Sequence, residues 1–102
     1  MKFSISKLAT KDLEKIWLYT YEHWSLEQAD RYIHLIFDEI EYLSHNPQHG
    51  KSYSHVREGY FCSRVKSHLV FYRVNRKTEV LEVVRILHQQ MDVEGRLTNS
   101  PD

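Results

Sequence analysis

The chain has 102 residues, enough for one domain of common size but too few to leave long apolar segments outside its core. Hydrophobic residues make up 41% of it, against only 3 Gly and 2 Pro, which excludes disordered, collagen-like and low-complexity chains. The formal charge is zero, so the positive excess of a dedicated nucleic-acid binder is missing, and no apolar run approaches the ~20 residues of a membrane span.

That zero hides an asymmetry. Residues 1–50 carry five basic and eight acidic residues, and residues 51–102 carry nine and six, giving halves of −3 and +3. The basic half suits an acidic protein partner or a limited stretch of RNA. Cys62 stands alone and reads as a half-buried apolar side chain. Met1-Lys2-Phe3-Ser4 shows no signal-peptide pattern, and a cytoplasmic location is expected.

The first five residues after Met1 alternate, with Phe3 and Ile5 on one side, and predict a short strand. Ser6 is a fitting N-cap for a helix over residues 7–24, whose Leu13, Ile16, Trp17, Tyr21 and Trp24 recur at three and four. Ser25-Leu26-Glu27-Gln28 has the form of a capping box and opens a second helix. Its stripe of Ala29, Tyr32, Ile33, Ile36, Phe37, Ile40 and Leu43 runs to Pro47, which disfavours helix at the residue before it. Residues 47–56 read as a loop. Three strands follow, over residues 60–65, 68–74 and 80–87, joined by turns at Lys66-Ser67 and Asn75–Thr78. The last strand is apolar on both faces and should be central. His88–Asp92 leaves the sheet as a helical turn, residues 1–96 form a single domain, and residues 97–102 are expected to fray.

The fold class is therefore α+β, in the order β-α-α-β-β-β. A helical hairpin packs on one face of a small, mainly antiparallel sheet. The opposite face is expected to stay open and to carry function.

Chemistry-bearing motifs are sparse. Seven histidines are present, yet none sits with a third ligand at zinc-site spacing, so neither a metal nor a cofactor is expected. The basic set Arg64, Lys66, Arg73 and Arg85 falls on the strands and the first turn of the sheet, with His68 and His88 close in sequence. Such a set could hold a phosphate and move protons, as 2′-OH attack on RNA requires. Alternation alone also puts arginine and lysine on the wet face of a sheet, and that simpler reading is preferred. Tyr60 and Phe71, if exposed, would serve as aromatic anchors for a partner.

A ladder of residues resembles a known family. It begins with Asp12-Leu13, Ile16–Thr20, Glu22–Ser25 and Gln28-Ala29. It continues through Asn46-Pro47, Gly50, Arg57–Tyr60 and His68–Arg73, and closes with Arg85–Asp92. The pattern is similar to the ParE branch of the RelE/ParE toxin superfamily, and it spans nearly the whole chain. The resemblance implies a β-α-α-β-β-β toxin of a type II toxin–antitoxin pair. It also implies DNA gyrase as target, a ParD-like antitoxin partner, and binding rather than catalysis. Arg85, His88, Met91 and Asp92 then form the expected functional end, with Arg64, Arg73, Tyr60 and Phe71 as further binding candidates. The alternative is the RelE branch, a ribosome-dependent mRNA endoribonuclease, in which His88 or His68 would act as acid–base and Arg64, Arg73 and Arg85 would hold phosphate. The chain departs from the family at Phe61 and Cys62, where a basic residue is common.

Overall fold

A computed structural model describes residues 1–98 of the chain. Strand β1 (Lys2–Ile5) leads into helices α1 (Lys7–His23) and α2 (Leu26–His45). Both helices start where serine can accept a hydrogen bond from an otherwise orphan backbone N–H. Ser6 Oγ accepts from Ala9 N at 3.0 Å, and Ser25 Oγ accepts from Gln28 N at 3.1 Å. Ser6 Oγ also donates to the Val84 carbonyl at 2.9 Å, which ties the start of α1 to the sheet.

The remaining elements are β2 (Lys51–Ser52), β3 (Phe61–Val65), β4 (His68–Asn75), β5 (Val80–His88) and α3 (Val93–Thr98). They form one five-stranded sheet in the order β1-β5-β4-β3-β2, with β1 parallel to β5 and the other pairs antiparallel. β5 lies between β1 and β4, as its doubly apolar pattern predicts. Lys66 adopts φ 54° in the β3–β4 hairpin. The Asn75 side chain accepts from Lys77 N and Thr78 N and so shapes the next turn. Two elements differ from expectation. The loop after Pro47 holds the short strand β2, and the C-terminal helix lies at Val93–Thr98 rather than at His88–Asp92.

One core cluster sits between the helices and the sheet. Ala9, Leu13 and Ile16 of α1, and Ile36, Ile40 and Leu43 of α2, meet Val70, Tyr72, Leu81, Val83 and Ile86. Burying each large aliphatic side chain here contributes about 1.5–3 kcal/mol. Gly50 lies against the Tyr72 hydroxyl, which accepts from Gly50 N at 2.9 Å and donates to the Pro47 carbonyl at 2.8 Å. A Cβ at this glycine would collide with that hydroxyl.

The other face of the sheet is not open. Tyr60, Phe71, Val84, Leu87, Val93 and Leu97 form a second buried cluster, flanked by Tyr53, Val56, Cys62 and Leu69. The segment between β2 and β3, together with α3, covers the face that was expected to be bare. The reason is the strand pattern itself. Positions 62, 69, 71, 84 and 87 are apolar on that side, and water would penalise leaving them uncovered. Leu97 is likewise fully buried, and Arg57 Nη1 donates to its carbonyl at 2.9 Å, so fraying does not begin at this residue. The remainder of that tail, residues 99–102, lies outside the described residues.

Candidate functional site

A cleft opens on the helical side, at the end of the molecule where the helices turn back. On α1, Asp12, Lys15, Ile16, Tyr19 and Thr20 recur at three and four and form one wall. Gln28 and Tyr32, one turn apart on α2, face them, and Trp24 stands at the corner between the helices. Ser67, His68, Ile86 and His88 form the floor, with Met91 and Arg96 at the far end. The cleft has a volume of about 780 Å³.

His68 and His88 are direct cross-strand partners at the last rung of the β4–β5 ladder. Their rings therefore meet, with centroids 5.1 Å apart at 87°. The Tyr32 hydroxyl shares a 2.6 Å hydrogen bond with His68 Nδ1, and Gln90 N donates to His88 Nδ1 at 3.1 Å. Burial, helped by the neighbouring His88, pushes the His68 pKa down to about 4, while burial raises that of Tyr32. At neutral pH the floor is an uncharged imidazole beside a protonated phenol, suited to hydrogen bonding. Among the described residues no group of three or more His, Cys, Asp or Glu is arranged to hold a metal ion.

The rim is apolar and exposed. Trp24 is 75% exposed, Tyr19 60% and Met91 43%. Tyr19 stacks on His23 with centroids 3.9 Å apart. Helical spacing assigns Trp17, Tyr21 and Trp24 to the core, but Tyr21 is 49% exposed and Trp17 only half buried. Trp17 instead stacks on Tyr21 and donates through Nε1 to Asp30 of α2 at 2.9 Å.

The sequence candidates separate by where the fold places them. His88 and Met91 line the cleft, as does His68. Asp92 is exposed and accepts from Gly95 N at 3.2 Å, at the start of α3. Arg64 and Arg73 lie on the opposite side of the sheet, where Arg64 Nε donates to the Lys66 carbonyl and Arg73 pairs with Glu82 at 2.7 Å. Tyr60 and Phe71 are corrections. They are 2% and 0% exposed, packed in the second cluster, and present nothing to a partner.

Arg85 is also a correction. It is 9% exposed, and its Nε and Nη2 donate to Asp12 of α1 at 2.8 and 2.9 Å. Asp12 Oδ2 also accepts from Ile86 N at 2.9 Å, satisfying β5 where β1 has already ended. Asp12 thus holds the Nε and Nη2 donors, and its carboxylate offsets the charge that a phosphate clamp would use. The residues that sequence reading missed are Lys15, Tyr19, Trp24, Tyr32 and Arg96. Only Trp24 gave a hint, through its place directly before the Ser25 cap.

Comparison with known proteins fits this architecture. The model of the ParE toxin of the parDE type II toxin–antitoxin system matches residues 3–93. A relative named Toxin ParE1 from Mycobacterium tuberculosis is 36% identical over 96 residues, covering 94% of this chain and 97% of that one. A Toxin ParE1 from Caulobacter vibrioides is 35% identical over 95 residues, covering 93% and 96%. Among solved structures, a chain of a chromosomal ParDE toxin–antitoxin system from P. aeruginosa superposes with a TM-score of 0.74 at 17% identity, covering 86% of this chain and 95% of its own. A chain of the RelBE2 toxin–antitoxin complex from Mycobacterium tuberculosis gives 0.58 at 21%, covering 85% and 95%.

Proposed function

The chain belongs to the ParE toxin family of type II toxin–antitoxin systems, and from that premise we propose that it acts in the cytoplasm by binding DNA gyrase and is neutralised by a ParD-like antitoxin. The observation that carries a binding role is the rim of Tyr19, Trp24 and Met91. Large apolar side chains left exposed around a cleft are the usual anchors of protein interfaces. His88 and Met91 are the sequence candidates retained in this contact surface, with Asp92 beside them.

Two assays test the reading. Purified protein should block gyrase supercoiling and trap cleaved DNA, and full supercoiling at a large molar excess of folded protein would reject the target. Co-expression with its ParD-like antitoxin should give a stable complex and restore growth.

The second reading is a RelE-like mRNA endoribonuclease, favoured by the His68–His88 pair in the cleft. Against it, the arginine it needs, Arg85, is neutralised by Asp12, and Arg64 and Arg73 point away from the cleft. Its mark would be ribosome-dependent cuts in mRNA that vanish with His88→Ala.

A further inference from the structure

The cleft combines three properties that together select one class of small ligand. Its volume of about 780 Å³ falls within the range of small-molecule sites, roughly 300–1,000 Å³. Tyr19, Trp24 and Tyr32 supply aromatic surface on which a flat ring can stack. The available charge is positive. Asp12 is the carboxylate of the lining, and Arg85 already neutralises it. Lys15 and Arg96 are in neither of the ion pairs found among the described residues.

We propose that the cleft binds a planar aromatic anion, a one- or two-ring molecule bearing a carboxylate, sulfonate or phosphate. The ring would lie against Trp24 and Tyr19, and the anionic group would reach Lys15 or Arg96. This assignment rests on the cleft alone and not on gyrase or antitoxin binding. It fits the floor as well, because His68 adds hydrogen-bonding capacity without a competing negative charge.

The test is a fluorescence titration of the full chain with 1-anilinonaphthalene-8-sulfonate. Its neutral analogue, N-phenyl-1-naphthylamine, isolates the contribution of the charge. Indole-3-acetate and adenosine monophosphate are the competitors that distinguish a carboxylate ligand from a phosphate one. Saturable one-to-one binding is expected, weaker by about tenfold or more in Lys15→Glu or Arg96→Glu and in Trp24→Ala, with the neutral analogue weaker by a similar factor. All three side chains are exposed or at the rim, so the variants should melt like the parent, and Lys15→Gln serves if Lys15→Glu does not. The proposal is overturned by non-saturable binding, by displacement with neither competitor, or by affinity that ignores all three substitutions. Equal affinity for the neutral analogue would also overturn it, marking the cleft as an apolar groove for a protein segment.

Discussion

Replacing Asp12 with alanine removes three hydrogen bonds from one place. Arg85 Nε and Nη2 and the Ile86 N–H all lose their acceptor, in a site where both side chains are only 10% exposed. Breaking a buried ion pair from one side leaves an uncompensated charge, which costs about 3–5 kcal/mol. A chain of this size is stable by only about 5–15 kcal/mol. The loss should therefore lower the melting temperature by roughly 12–40 °C, at about 4–8 °C per kcal/mol. Replacing both partners by apolar residues of similar volume, Asp12→Leu with Arg85→Met, should recover most of that loss, because no charge is then stranded. The Ile86 N–H stays unsatisfied in the pair variant, so a residual cost of about 1–2 kcal/mol is expected. Urea denaturation followed by circular dichroism on the parent, Asp12→Leu, Arg85→Met and the pair variant closes the cycle, with Asp12→Ala measured beside them. A loss below about 1 kcal/mol in Asp12→Ala, or a pair variant as unstable as the sum of the singles, would refute the buried-pair account.

Four further outcomes follow from the same contacts. His68 is held neutral with a pKa of about 4, against an ordinary value near 6.5, so the protonated form is disfavoured by folding. Its contribution is fully present above about pH 6.5 and fades as pH falls toward 4; the ceiling of about 3 kcal/mol drops to about 1–2 after discounting for its partial exposure. His68→Gln should flatten the urea midpoint between pH 7 and pH 4, and an unchanged pH slope would count against it. Gly50→Ala should destabilise by about 1–3 kcal/mol by pushing the Tyr72 hydroxyl off the Pro47 carbonyl, read as a shift in urea midpoint. Leu97→Ala should cost about 2–4 kcal/mol despite lying next to the chain end, since the side chain is fully buried; a neutral result in a melt would mean that α3 is dispensable. Ser25→Ala should cost about 1 kcal/mol by removing the cap of α2, seen as lost helical signal before global unfolding.

The legible parts of the fold were those written in local chemistry. Ser6 and Ser25 announced both helix starts, Pro47 the end of the second, and the apolar alternation of 80–87 its central strand. What stayed hidden depended on contacts distant in sequence. The interaction of Asp12 with Arg85 spans 73 positions, and no spacing rule connects a helix aspartate to a strand arginine that far away. The second cluster was readable only in part: alternation sets Val84 opposite Leu81 and Val83 but groups Leu87 with them, and the irregular β4–β5 pairing beside Phe71 and Tyr72 is what brings Leu87 to the side of Val84. That both faces of β5 are apolar implied a cover on each, and only one cover was assigned. Leu97 and the segment around Tyr53 are that missing cover. The cleft was less visible still, because it is assembled from α1, α2, β4, β5 and α3, with a few residues from each.

The division of labour between buried and exposed residues bears directly on where a partner docks. Tyr60, Phe71 and Arg85 are all of types enriched in binding hot spots, yet each is already committed to holding the fold. Substituting them should lower stability, so a loss of activity there would not by itself report contact with a target. Trp24 is in the opposite position. At 75% exposure it lies outside both core clusters, so its removal should leave the melting temperature nearly unchanged. A solvent-exposed tryptophan that contributes little to stability still offers one of the largest apolar surfaces available for burial against another molecule. Residues of this kind separate binding from folding, and the mouth of the cleft is where this chain places them together.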